Sequence, residues 1–245
     1  MLNLCLHCGS RQTPRELLDS APTPARTRTW VPIAHHRLLD LVETTLGGHG
    51  FRVVNQAHAL WGDGLRYFGL LEVQNGLAHD DYGLVVGLRN SHDKSFPAGL
   101  ALGSGVFVCD NLSFGAEVTL ARKHTRFIER DLPQVVHRAV ARLTDMRGKQ
   151  DRRIESYKQT EIDDRTAHDL IVRSLDSRVV PVTQVPTVLR EWREPSHAEF
   201  AEGGKMAWRL FNAFTESLKG RNLAELPRRT QGLHGLMDAA CGLAV

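Results

Sequence analysis

The apolar positions change period along the chain. From His35 to Leu46, residues Leu38, Leu39, Val42 and Leu46 recur at helical spacing, and Gly47-Gly48 ends the run. Beyond Phe51 the period shortens to two. Residues 51–61 and 65–74 alternate with β-branched and aromatic side chains and read as strands joined at Gly62-Asp63-Gly64, a strong hairpin signal. Asn75-Gly76 marks the next turn, with His79-Asp80-Asp81 at its far end. Residues 82–89, 98–109 and 117–121 complete a mainly antiparallel sheet of about five strands. Gly99, Gly103 and Gly105 weaken the fourth strand and suggest a bulge or a close backbone approach.

After Arg126 the period lengthens again. Leu132, Val135, Val136, Ala139, Val140, Leu143, Met146, Ile154 and Tyr157 form one seam, which predicts a long helix from about Leu132 to Tyr157 covering the sheet. Its start near Leu132 follows from Pro133, which fits only a first turn. Residues 162–176, 185–192, 204–219 and 227–241 are further helices, with Gly220 closing the third. The fold class is therefore α+β: a sheet packed by a long helix, then a helical C-terminal region. The divisions are an N-terminal arm or linker over 1–32, an α+β core over 33–160 and a helical region over 161–245. Within the arm, Thr13-Pro14-Arg15-Glu16 carries a capping-box pattern for a short helix. The Pro/Thr/Arg run to Trp30 reads as a linker pinned by one buried Trp, although Arg26, Arg28 and Trp30 also suit phosphate and base.

Composition adds little until charge is resolved by position. The net charge is +3 over 245 residues, with 42% hydrophobic and 24% charged residues, ordinary for a globular protein. Between Arg122 and Lys158, however, eleven Lys/Arg face five Asp/Glu, which leaves the rest of the chain net acidic. An embedded basic segment points to a polyanionic partner, against the plainer reading of a solvated helix face. No apolar run is long enough to span a membrane and the N-terminus lacks the pattern of a signal peptide, so a cytoplasmic location with no membrane partner is expected. Cys5 and Cys8 form only half of a zinc knuckle, and no second pair completes it.

Three polar knots punctuate the sheet: 89–94, Cys109-Asp110-Asn111 and 122–125. As a binding surface, Arg89, Lys94, Arg122, Lys123, Arg126, Arg138 and Arg142 offer phosphate contacts, and Asn90, Ser91, Asn111 and Thr125 offer neutral hydrogen bonds. Phe96, Phe107, Phe114 and Tyr82 would supply stacking faces for a single strand. As an enzyme, the same region offers His92, Asp93, Asp110 and His124 for catalysis. It offers His79, Asp80, Asp81, His92 and Asp93 for a magnesium or manganese ion in phosphodiester chemistry. A nucleophilic Cys109 would need His92 or His124 as its base. No P-loop, zinc-deaminase or zinc-protease motif and no dinucleotide fingerprint is present. The plain alternative is that the aromatics are core and the knots are Asx turns.

The runs LRNSHDKS, VFVCDN, LARKHTRFIERDLP and AWRLFNAFTESLKG resemble the phage/plasmid-like proteins grouped as domain of unknown function 932, over roughly Trp30 to Cys241. The resemblance implies a mobile-element context and singles out Asn90, Ser91, His92, Asp93, Cys109 and Asn111, without assigning them catalytic roles. A sheet followed by a basic helix is also similar in layout to single-strand annealing recombinases. The leading expectation is a non-enzymatic DNA-binding protein of a mobile element, an oligomeric single-strand binder or annealer with no cofactor. The alternatives are a metal-dependent phosphodiesterase or nuclease and a non-catalytic interaction protein such as an inhibitor of host defence.

Overall fold

A computed structural model describes residues 11–76, 82–106, 112–219 and 226–243; at 106, 112–120 and 226–227 only the backbone path is described. After a one-turn helix α1 (Glu16–Ser20) comes α2 (His35–Gly48). Five strands follow: β1 (Arg52–Trp61), β2 (Arg66–Gln74), β3 (Tyr82–Ser91), β4 (Ala98–Val106) and β5 (Leu112–Arg122). They pair in sequence order, each antiparallel to the next. The remainder is helical: α3 (Ile128–Ala141), α4 (Leu143–Gln159), α5 (Asp164–Asp176), α6 (Val185–Arg193), α7 (Ala198–Glu202), α8 (Ala207–Leu218) and α9 (Leu226–Ala240). The α+β architecture read from the periodicity is the one observed.

The sheet is a meander because every link between described strands is short. Gly62, Asp63 and Gly64 all take positive φ in the β1–β2 turn, a conformation that glycine supplies without a Cβ penalty. Directly paired residues share a face, so Tyr82, Leu84, Leu88 and Asn90 of β3 lie with Tyr67 of β2 and Ser104 of β4. This face carries the helices. Asn90 bonds His35 of α2, Gln150 of α4 donates to Ser104, and Tyr82 donates to Asp151 of α4. Strand β3 is buried almost throughout.

The seam expected as one helix is two. Arg142 stays in the right-handed region but at ψ −8°, closing α3 with a tighter turn before α4 begins. No glycine or proline marks the break; α3 packs on α2 and β5, whereas α4 turns towards α8. Helix α3 also starts earlier than Pro133 suggested. The carbonyls of Thr125 and Phe127 accept the first amides, at Ile128, Arg130 and Asp131, so Pro133 lies inside the helix. The capping box at Thr13 does not form either. The Thr13 amide donates to the His58 carbonyl at 2.7 Å, and α1 starts at Glu16 without a side-chain cap.

The C-terminal helices return to the sheet. Helix α9 packs against β5, and its buried Asp238 accepts Arg153 Nε at 2.9 Å and Tyr157 Oη at 2.5 Å from α4. Apolar burial is continuous from α2 to α9. No helix among the described residues is long and apolar enough to cross a membrane.

Close packing sets one glycine. A Cβ on Gly69 would overlap Tyr67 Oη, with Tyr67 Cζ at 2.9 Å and His58 Nδ1 at 3.3 Å. Gly69→Ala is expected to lower unfolding free energy by about 1–3 kcal/mol in urea titration. Gly148→Ala on α4, where a Cβ meets nothing within 4 Å, is expected to raise it by up to about 1 kcal/mol.

Candidate functional site

Two of the three polar knots meet, and what joins them is the arm. The Ile33 carbonyl accepts Asn90 Nδ2 at 2.7 Å and His92 Nε2 at 2.9 Å, while the Ile33 amide donates to His124 Nδ1 at 3.3 Å. Ile33, where the arm runs into α2, therefore has its whole peptide hydrogen bonding satisfied by the first and third knots. The grip continues along the backbone: Val31 N–H donates to the His124 carbonyl, and Trp30 bridges Thr125.

These bonds fix the state of the histidines. His92 donates from Nε2 and His124 accepts at Nδ1. His35 donates from Nε2 to the Gly64 carbonyl at 2.9 Å and accepts Asn90 Nδ2 at Nδ1, 3.0 Å away. His35 and His124 are thus neutral and protonated on Nε2, and His92 carries a proton on Nε2, assignments made from their partners. The His35 and His92 rings stack at 4.0 Å and 8°, an arrangement that two imidazolium ions would oppose. Burial pushes the His35 pKa down to about 4, aided by His92, and burial lowers that of His124 as well. A buried histidine outside this cluster, His58, is held by Tyr67 Oη and Gln56 Oε1, each at 3.1 Å, and burial lowers it to about 4.

The expected ligand-facing residues of the first knot face inward instead. Asn90 and Ser91 are 0% exposed and His92 4%. Ser91 exchanges hydrogen bonds with the Phe96 backbone, and Asp93 accepts Ser95 N–H at 3.0 Å and Arg66 Nε at 2.6 Å. The knot is an Asx turn and an internal clamp, so Asn90 and Ser91 are not at the surface, where they were expected to offer neutral hydrogen bonds to a ligand. Arg89 lies on the sheet face opposite Asn90, half-buried, with its guanidinium 5.9 Å from the Phe96 ring. Phe96 itself stacks on Trp61, and Tyr82 is buried.

Outside the clamp lies a basic, aromatic surface. Lys94 Nζ sits 4.9 Å over Trp30, and the guanidinium carbons of Arg126 and Arg130 lie 4.5 and 4.6 Å from the Phe127 ring centroid. Phe127 is 41% exposed. Arg26, Arg28, Lys94, Lys123 and Arg126 are exposed, and none has a carboxylate partner among the described residues. Arg122 is committed to Asp131, and Arg37 to Glu129. Arg138 and Arg142 are exposed further along, and Arg142 borders a depression of about 790 Å³ with Lys149 and Arg152.

Lys94, Lys123, Arg126, Arg138 and Arg142 therefore stand where a ligand can reach them. Periodicity passed over Phe127 and Arg130, although an aromatic off the helical seam between two arginines was a visible signal. His35 was hidden because it reads as an ordinary helix start. Cys5, Cys8, His79, Asp80, Asp81, Phe107, Cys109, Asp110, Asn111 and Gly220 lie outside the described residues, and so does the side chain of Phe114. Among the described residues no three His, Cys, Asp or Glu side chains are grouped to hold a metal. His92 and Asp93 point to different partners, as the bonds above show.

The sign of the pH dependence follows from neutral burial. Both His35 and His58 bind protons less well folded than unfolded. Their contribution is present above about pH 6.5 and is lost as pH falls from there towards 4. Each shift corresponds to at most about 3 kcal/mol, so urea midpoints measured from pH 7 to 4 are expected to fall most steeply in that window. Asn90→Ala is expected to lower unfolding free energy by about 2–3 kcal/mol at pH 7, because it strips a donor from the buried Ile33 carbonyl and from His35.

No curated protein and no solved structure matches the chain. A family match covers residues 24–237, which takes in the arm from just before Arg26, the whole described sheet and most of α9. The chain belongs to the family described as domain of unknown function 932.

Proposed function

We propose that this protein binds nucleic acid, as a DNA-binding protein of a phage- or plasmid-type element that holds single strands, as in annealing during recombination. The observation that carries the reading is that Arg26, Arg28, Lys94, Lys123 and Arg126 are exposed without carboxylate partners among the described residues, with Lys94 over Trp30 and Arg126 over Phe127. Cations supply sequence-independent affinity for phosphates, and aromatic or guanidinium planes offer stacking surfaces to unpaired bases. The mobile-element context rests on the resemblance in the sequence. The nuclease alternative gains nothing from Asp93, His92 Nε2 or His124 Nδ1, which are engaged in the fold, and the other ring nitrogens of His92 and His124 are buried.

Lys94 adds a local argument. Its φ of +66° is a left-handed conformation that lysine adopts at a cost of about 1–2 kcal/mol, and the Asx turn of Asp93 holds it there. The strain places the ammonium over Trp30.

The test is fluorescence anisotropy with labelled oligothymidine and a duplex of equal length across a salt series. Binding is expected to favour the single strand and to weaken linearly in log salt. A double Lys123→Glu, Arg126→Glu variant should bind at least tenfold more weakly with a shallower salt slope, whereas Arg165→Glu on α5 should bind as the parent does. Absence of salt-dependent binding to either oligonucleotide rejects the reading. Lys94→Gly relieves the positive φ while removing the cation. Its stability is expected to stay within about 1 kcal/mol of the parent, with oligothymidine affinity reduced severalfold.

A further inference from the structure

We infer that the arm is a proton-operated clasp: acidification of the His35–His92–His124 cluster releases residues 26–34 from the sheet, and Arg26, Arg28 and Trp30 leave the basic surface with them. The clasp itself stands on the hydrogen-bond geometry. Its consequence for ligand binding rests on the nucleic-acid reading above.

The arm is held by groups that work in only one protonation state. His124 accepts the Ile33 amide at Nδ1; a proton there replaces the acceptor with a second donor facing a donor. His35 accepts Asn90 Nδ2 at Nδ1, and the same amide nitrogen serves the Ile33 carbonyl. Turning the Asn90 amide to suit a protonated His35 would set its oxygen against that carbonyl. His92 has a free Nδ1 within the interior, and its ring lies flat on that of His35. A proton on either ring of the stack therefore opposes a proton on the other.

Among the described residues only backbone carbonyls offset the charge, Gly64 at His35 and Val31 at His124, and burial outweighs both. The titratable groups acting on His35 are His92, His124 and His36, and the one acting on His124 is His92. Around the cluster stand Tyr67 from β2, Lys94 and Lys123 from the flanking turns, and the Arg66–Asp93 pair, whose carboxylate is already engaged. His58 from β1 touches Tyr67 and is itself buried neutral. No carboxylate bonds any of the three rings among the described residues. Residues 31–34 are buried beside the cluster, and the chain leading to them is loosely attached. It crosses residues 21–29 without regular structure, and those residues are mostly exposed. The cluster can thus release the arm without unfolding β2 and β3.

Hydrogen exchange on the full chain, corrected for the intrinsic pH dependence of exchange, tests this directly. Between pH 7 and 4.5 the amides of Val31 and Ile33 are expected to lose at least tenfold more protection than those of β2 and β3. His124→Asn places an amide oxygen where Nδ1 accepted but does not protonate, so its loss should be markedly smaller. Should that variant fail to fold, nitrogen-detected NMR of the parent at pH 7 is the second readout, with Nε2–H tautomers expected for His35, His92 and His124. Equal protection changes in arm and core, an unchanged arm at pH 4.5 in folded protein, or an Nδ1–H tautomer at His124 overturns the clasp. Oligothymidine affinity is expected to fall on acidification although the protein gains positive charge. Undiminished affinity with a released arm removes the link to the surface. Absence of binding at both pH values overturns the nucleic-acid reading alone, and the exchange result still decides the clasp.

Discussion

The peptide group of Ile33 is the joint on which the candidate site turns. Its carbonyl is shared by Asn90 and His92 from one end of β3, and its amide goes to His124 at the exit of β5. Remove that joint and the arm loses its register: Trp30 no longer bridges Thr125, and Lys94 no longer has Trp30 beneath it. Buried backbone polar groups must be satisfied, and here side chains supply what a neighbouring strand would. The polar knots on the sheet are the means by which a non-strand segment is bound to it.

This arrangement separates holding from contacting. The inner layer of Asn90, Ser91, His92 and His124 is buried and engaged, whereas the outer layer of Lys94, Lys123, Arg126 and Phe127 is exposed. The division also explains the electrostatics. A surface of unpartnered cations is tolerable because the interior beneath it is neutral. Charging the histidines would place like charge under like charge and demand desolvation of an imidazolium. The guanidiniums of Arg126 and Arg130 against Phe127 are oriented by the ring and give little solvation up there.

Much of the fold was legible because its signals are local. The alternation in β1 and β2, the Gly62-Asp63-Gly64 turn and the apolar stripe of α2 each follow from neighbouring residues. What escaped was set by distant partners. The break at Arg142 has no local marker, and the early start of α3 depends on carbonyls in the turn before it. The site was half legible for the same reason. Its location at 89–94 and 122–125 showed as polar residues where strands should be apolar. Their direction did not, since whether Asn90 faces solvent or Ile33 depends on an arm 57 residues away.

In the proposed function the arm and the start of α3 form one nucleic-acid surface. Ultraviolet crosslinking of oligothymidine to the full chain, followed by peptide mapping, tests it most directly. Crosslinks concentrated on the peptides bearing Trp30 and Phe127 are the predicted result. Crosslinks confined to α5–α9, or none at concentrations that saturate a single-strand binder, would contradict it.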